Sequence, residues 1–510
     1  MISRKNKSIL IAFFTLFSIF SWQINAQQDS IYVHINLNDL SNDTFKVSIK
    51  TNGLTQENDT YYFAKTAPGT YSTMNFGDYV TKFEVLDKDG KAIGYTKPDI
   101  NSYQIDSIAY VSEIKYEIQE TFDHPRGLEI YPMAGTSIEA DHALINTFAV
   151  TGYFKGRQEN PIALTLDYPE NWLYGSALPS NNKGTFYAES FDYLADSPIL
   201  IGELTRTTYT IDETDIEVAV YSQNKTIQAE TILNDITDVI NGSKKYLGTL
   251  PVDHYSFLFF FETNDITPKG ALEHSYCSLY TSNEKPWDEI SESMRHVIAH
   301  EFFHIVTPLN LHSEYIETFN FNFPRASEHL WLYEGVTEWA AHMILLKNKL
   351  VDLDTYLLTL RKKAFVNDQY FDPTWSLIKL SKESYSKEGF EQYSNIYMKG
   401  ALFAGILDIR ILELSKGKQG LIDVIKELTE IYGKQKAFQE DELIPKLVEI
   451  TYPEIQELFD DYVYGTAPLP LEEYYAKIGI IYNSSDYMFS VDPNATKKQR
   501  KLRNKWMKLQ

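Results

Sequence analysis

His300-Glu301-Phe302-Phe303-His304 sits inside a stretch of helical spacing. Met294, Val297, Ile298 and Ile305 make an apolar stripe, Asp288 offers an N-cap, and Pro308 offers a stop. The spacing therefore predicts a helix over residues 288–306. On such a helix His300 and His304 are one turn apart, so both imidazoles leave the same face and can bind one ion. Glu301 is offset by one residue and points beside that ion, where a general base for a metal-activated water belongs. His296 shares the face one turn earlier but has no carboxylate next to it, so packing or support of the site is its expected role. A catalytic zinc of this kind takes a third protein ligand and keeps one position open. A second helix, expected over residues 327–347, carries Glu334, Glu338 and His342 on one stripe. Helical geometry alone does not choose among the three.

Composition narrows the setting. The chain has 510 residues, 43% hydrophobic and 23% charged, which is globular and gives room for two to four domains. Arg4, Lys5 and Lys7 precede an apolar run, Ile9 to Phe20, too short to span a bilayer, and Ala26 offers a cleavage point. Residues 1–26 thus read as an export signal leading to the periplasm or outside the cell; an uncleaved anchor is the alternative. Net charge is −23, and removal of the signal's three basic residues takes it to about −26. A chain so acidic repels nucleic acid and anionic lipid. Cys277 is the single cysteine, so no internal disulfide forms, and a small buried hydrophobe is its expected role.

The chain divides by pattern into residues 27–205, 206–390, 391–480 and 481–510. The first part reads as β structure and predicts a sandwich-like domain. Tyr110, Ile114, Tyr116 and Ile118 fall on one face of a strand. Ile162 to Leu166 is another strand, and Asp87-Lys88-Asp89-Gly90 is a hairpin turn. The second part starts with a strand at 214–222 and a helix over 227–246, followed by Tyr255 to Phe261 as a buried strand and a loop containing Pro268. Beyond residue 285 the pattern is helical to about 465. Residues 481–510 end in a basic tail, Lys497 to Lys508, expected to be solvated or clamped on the acidic body. Membrane-surface contact through Trp506 and Met507 is the alternative.

At several of these points the chain resembles a known group. HEFFH followed by Trp331-Leu332-Tyr333-Glu334-Gly335-Val336-Thr337 is similar to the thermolysin-like metallopeptidases, and most similar to their glycyl-aminopeptidase family. Gly270-Ala271-Leu272-Glu273-His274 resembles that family's Gly-Gly-x-Glu-His segment. Tyr397-Met398-Lys399-Gly400 resembles its Tyr-x-Lys-Gly motif. Pro68-Gly69-Thr70-Tyr71 and Phe459 to Leu471 resemble further stretches. The resemblance spans roughly residues 30 to 480. It implies a multidomain α+β fold: an amino-terminal β-sandwich-like domain, a thermolysin-like catalytic domain and a C-terminal helical region. It also implies one zinc ion on His300, His304 and Glu334, with Glu301 as base and Tyr397 as donor to the oxyanion. Gly270, Ala271 and Glu273 would hold the substrate, with Glu273 pairing with its free α-amine.

The expected activity is removal of small amino-terminal residues, such as Gly or Ala, from a peptide or protein substrate. The rivals are an endopeptidase with an open cleft and a non-catalytic peptide-binding protein. Two departures stand out. Ala271 replaces a usual glycine, and about thirty residues follow position 480, too few for the PDZ domain the family often carries.

Overall fold

Alternation sets the first sheet. Ile31, Val33 and Ile35 are buried, and the residues between them are not, over the strand Ile31–Asn36. That strand pairs antiparallel with Thr44–Lys50 and parallel with Ile162–Asp167. The protein is described here as a computed structural model covering residues 30–122, 124, 130–181, 183–263 and 270–508. The expected export signal and the loop with Pro268 lie outside the described residues. Two units form: residues 30–67 with 74–204, and residues 68–73 with 205–508.

The first unit holds three sheets of six, four and four strands. In the largest, Val111–Gln119 lies between Thr44–Lys50 and Val80–Asp87. Ile114, Tyr116 and Ile118 face the core as expected, but Tyr110 does not: it is 73% exposed at the end of the turn Ile108–Tyr110, before the strand begins. Asp87 Oδ1 accepts from the amides of Asp89 and Lys91, and Gly90 takes φ +77°. The turn is thus built by an aspartate and a glycine, and past it Leu86 bridges Ala92 while the Ile93 amide donates to the carbonyl of Val85.

The second unit begins with a five-stranded sheet in the order Thr205–Ile211, Thr214–Ser222, His254–Glu262, Cys277–Asn283 and Gly270–Glu273. The middle three strands run parallel to one another, and the seven central residues of His254–Glu262 are all buried, as a strand covered on both faces requires. Gly270–Glu273 runs antiparallel at the edge. The helix Ala229–Leu247 packs on this sheet through Ile232, Ile236 and Ile240. Helices then dominate: Trp287–Phe303, Trp331–Val336 continuing into Thr337–Lys347, Leu353–Tyr370 and Asn395–Leu414.

The first of these starts after Pro286, so Asp288 lies in the first turn rather than at the cap, where its charge still suits the helix dipole. Among the described residues no helix is long and apolar enough to cross a membrane.

The expected basic tail is not loose. Residues Ile480–Asn483 and Met488–Val491 form a hairpin, and Lys497–Trp506 forms a helix opened by a Thr496–Gln499 capping box. Trp506 is 1% exposed with its ring 5.6 Å from that of Tyr356, so it is not available to a membrane. Lys505 Nζ donates to the carbonyls of Lys416 and Gly417, just past the end of Asn395–Leu414. A cation at a helix C-terminus is favoured by the dipole there, which gives part of the basic stretch a structural use.

Candidate active site

The helix Trp287–Phe303 carries His300 and Glu301, and His304 is its C-cap. As the chain turns away, His304 Nδ1 donates to the carbonyl of Thr307 at 2.8 Å. A carbonyl only accepts, so the proton is on Nδ1, and Nε2 presents its lone pair. That Nε2 is buried, has no hydrogen-bond partner among the described residues and lies 3.8 Å from Glu334 Oε2. Burial lowers the His304 pKa to about 4, with Glu334 opposing and His300 adding, so the ring is neutral at physiological pH. His300 Nε2 lies 3.3 Å from the same Glu334 oxygen.

Of the three candidates for a third ligand, Glu334 alone faces both Nε2 atoms. Glu338 reaches the other nitrogen of His300, Nδ1, at 2.9 Å. His342 bonds to Glu338 Oε1 at 3.2 Å and stacks on His296 with ring centroids 4.1 Å apart. Lys363 also donates to Glu338. Glu338 therefore fixes the His300 ring, and His296 takes the supporting place expected of it, 3.3 Å from Glu338 Oε2.

His300, His304 and Glu334 offer ligand atoms that all lie within 4.8 Å of one another. Two imidazole nitrogens and a carboxylate are a donor set that zinc accepts, and the unpartnered Nε2 of His304 is the atom such an ion would satisfy. The residues fit the ion. Glu334 lies in a π-helical turn, Trp331–Val336, a form of helix that concentrates at functional sites. Burial works against its charge, but the hydrogen bond from His300 and its favourable electrostatics hold its pKa below the usual value.

Three further residues close on this cluster. Glu301 is 7% exposed, and burial lifts its pKa to about 7, with His300 opposing and Glu334 and Glu338 adding. Glu273, Glu301 and His304 again offer atoms within 4.8 Å of one another. Glu273 ends the edge strand, with Gly270 and Ala271 before it opposite Thr281 and Tyr280. Burial and the neighbouring Glu334 and Glu301 push its pKa well up. Tyr397, on the helix Asn395–Leu414, has its ring 5.7 Å from His300, and its hydroxyl lies 3.3 Å from that of Tyr393.

Sequence reading missed Lys363, Tyr393 and the backbone of Thr307. Nothing in their spacing pointed to the site, since each arrives from a different element or as a carbonyl. Glu338 was in view, at four residues from Glu334, but not in its role.

Comparison with known proteins agrees with this construction. No curated protein sequence matches the chain. Among solved structures, an aminopeptidase N family protein of Idiomarina loihiensis superposes with a TM-score of 0.77 at 20% identity, covering 88% of this chain and 78% of that one. An M1 zinc metallopeptidase of Deinococcus radiodurans gives 0.52 at 12% identity, with 87% and 95% covered. Yeast LTA4 hydrolase gives 0.53 at 13% identity, with 88% and 70% covered. These likenesses show the fold: multidomain α+β, with a β-rich amino-terminal part and a helical C-terminal part. The sequence profile of the M61 peptidase N-terminal domain matches residues 32–203, and that of the M61 glycyl aminopeptidase matches residues 293–403. Together they span more than half of the chain, which belongs to the M61 glycyl aminopeptidase family of metallopeptidases.

Proposed function

We propose that the chain is an exported zinc aminopeptidase that releases small residues, such as glycine or alanine, from the free amino terminus of peptides. One observation carries this reading. The Glu273–Glu301–His304 group adjoins the His300–His304–Glu334 group through the shared His304, so an amine anchor and a hydrolytic site lie side by side.

His300 Nε2, His304 Nε2 and a Glu334 oxygen would hold one zinc ion per chain. When bound, the ion supplies Lewis acidity toward the scissile carbonyl and acidifies the attacking water. Glu301, next to His300 and within reach of His304, takes that water's proton and passes it to the departing amine as the C–N bond breaks. Tyr397 donates its hydroxyl proton toward the carbonyl oxygen as charge gathers there. Glu338 holds Nδ1–H of His300 and so aims its Nε2. Glu273, pushed toward its neutral form by burial and two neighbouring carboxylates, is restored to its charged form by a substrate ammonium that pairs with it. A mutant of the Deinococcus radiodurans M1 zinc metallopeptidase, which shares this fold, has been seen with the substrate Tyr-Ser-Ala, which supports a peptide as substrate. Export rests on the basic and apolar pattern of residues 1–26.

The test is a digest of matched peptides with free and acetylated amino termini. The zinc-loaded protein is expected to cleave the free set and spare the acetylated one. Glu273→Ala is expected to lower kcat/KM on free peptides by about 10²-fold or more, in line with losing a charge-assisted pair. Equal cleavage of both sets by the parent would instead establish an endopeptidase.

A further inference from the structure

Residues 68–73 stand apart from the chain around them. The carbonyl of Lys65 accepts from the amides of Met74 and Asn75 at 2.8 and 3.0 Å, which pinches the base of a loop. The six residues inside it group with the second unit, while the chain on both sides belongs to the first. There Gly69 is pressed against the anchor. A methyl group on Gly69 would lie 2.6 Å from Glu273 Oε1 and 2.9 Å from its carboxyl carbon. With φ +76° as well, position 69 admits only glycine without displacing Glu273.

Two residues on, Tyr71 takes φ +47°, a left-handed conformation that is costly for so large a residue. What it gains is a place for its ring, 5.3 Å from Tyr393 and 5.8 Å from Tyr385. Tyr393 lies 5.8 Å from Tyr397, and Tyr397 lies 5.7 Å from His300. The rings thus run from the metal cluster to Tyr71 without a break. The Tyr71 hydroxyl pKa is raised by burial and by Tyr393, Glu334 and Glu273, so it is within electrostatic reach of both carboxylates. Yet Tyr71, Tyr385, Tyr393, Tyr397 and Glu273 all keep partial exposure. Side chains that pack together around a reactive cluster and still meet solvent are the walls of a cleft.

We propose that the strap of residues 68–73 walls the pocket for the substrate's first residue, and that Tyr71 sets how large that residue's side chain can be. The proposal rests on Glu273 as the amine anchor. Gly69 closes the cleft beyond the ammonium, and the Tyr71 ring stands where a branched or aromatic first side chain would extend.

The test compares kcat/KM on 4-nitroanilides of Gly, Ala, Leu and Phe, with zinc content and melting temperature measured for each variant. Tyr71→Gly removes the ring and relieves the backbone. Tyr71→Asn, which also tolerates the left-handed region, is measured in parallel in case the first does not fold. Either variant is expected to raise the Leu/Ala and Phe/Ala ratios by about tenfold or more, the range that a few methylenes command in an apolar pocket. Tyr71→Phe keeps the ring and is expected to keep the parent's ratios. Unchanged ratios in folded, zinc-loaded Tyr71→Gly or Tyr71→Asn, with preference for free amines intact, would overturn the pocket assignment alone. If the parent hydrolyses acetyl-alanyl nitroanilide as fast as the free compound, the anchoring by Glu273 is wrong and this proposal falls with it.

Discussion

Glu338 shows how one carboxylate serves several neighbours at once. One oxygen accepts from His300 Nδ1, and the other meets Lys363 and His342. It is 6% exposed, and burial would protonate it, yet Lys363 and His296 hold its pKa well below the usual value. A charged carboxylate on Nδ1 makes the opposite nitrogen a better metal donor and stops the ring from turning. Glu338→Gln is therefore expected to weaken zinc binding by about 10- to 100-fold, read by competition against a chelator of known affinity. Unaltered affinity would remove Glu338 from the support of the site.

At the scale of elements, two glycines explain how the turn of Glu334 meets the helix of Tyr397. A methyl group on Gly335 would lie 2.7 Å from Gly400 Cα, and one on Gly400 would lie 2.8 Å from Gly335 Cα. The backbones touch, which lets the turn carrying Glu334 lie against the helix carrying Tyr397. Gly335→Ala should cost about 1–3 kcal/mol or more through this clash, seen as a lower melting temperature, and should lower activity more than stability alone explains. An alanine variant that melts and turns over like the parent would show that the approach is not required.

Much at this scale was legible beforehand. The strand Thr214–Ser222 follows the predicted span, and the buried strand His254–Glu262 extends the predicted one by a residue at each end. Both are marked by local periodicity. Spacing predicts that the helix of His300 runs to 306, but its last regular residue is Phe303, and His304 turns back to the carbonyl of Thr307. The strap was not legible as part of the site. Some two hundred residues separate Gly69 from Glu273, and no period in the sequence reports a contact that distant.

For the whole molecule, the candidate zinc donors His300, His304 and Glu334 all belong to residues 205–508. Binding to the folded form alone stabilises what it binds, by RT ln(1 + [L]/Kd). Removing zinc with a chelator is thus expected to speed amide exchange in Trp287–Phe303 and Trp331–Lys347 while leaving the sheet around Ile31–Asn36 as protected as before. Equal deprotection of both would mean that the metal governs folding of the whole chain.

The most direct measurement of the central claim, metal-assisted hydrolysis with Glu301 as base, is zinc content and kcat on one preparation of Glu301→Gln. About one zinc per chain is expected, with a kcat lower by about 10²- to 10⁴-fold. A variant that holds zinc and hydrolyses peptides at the parent's rate would contradict it.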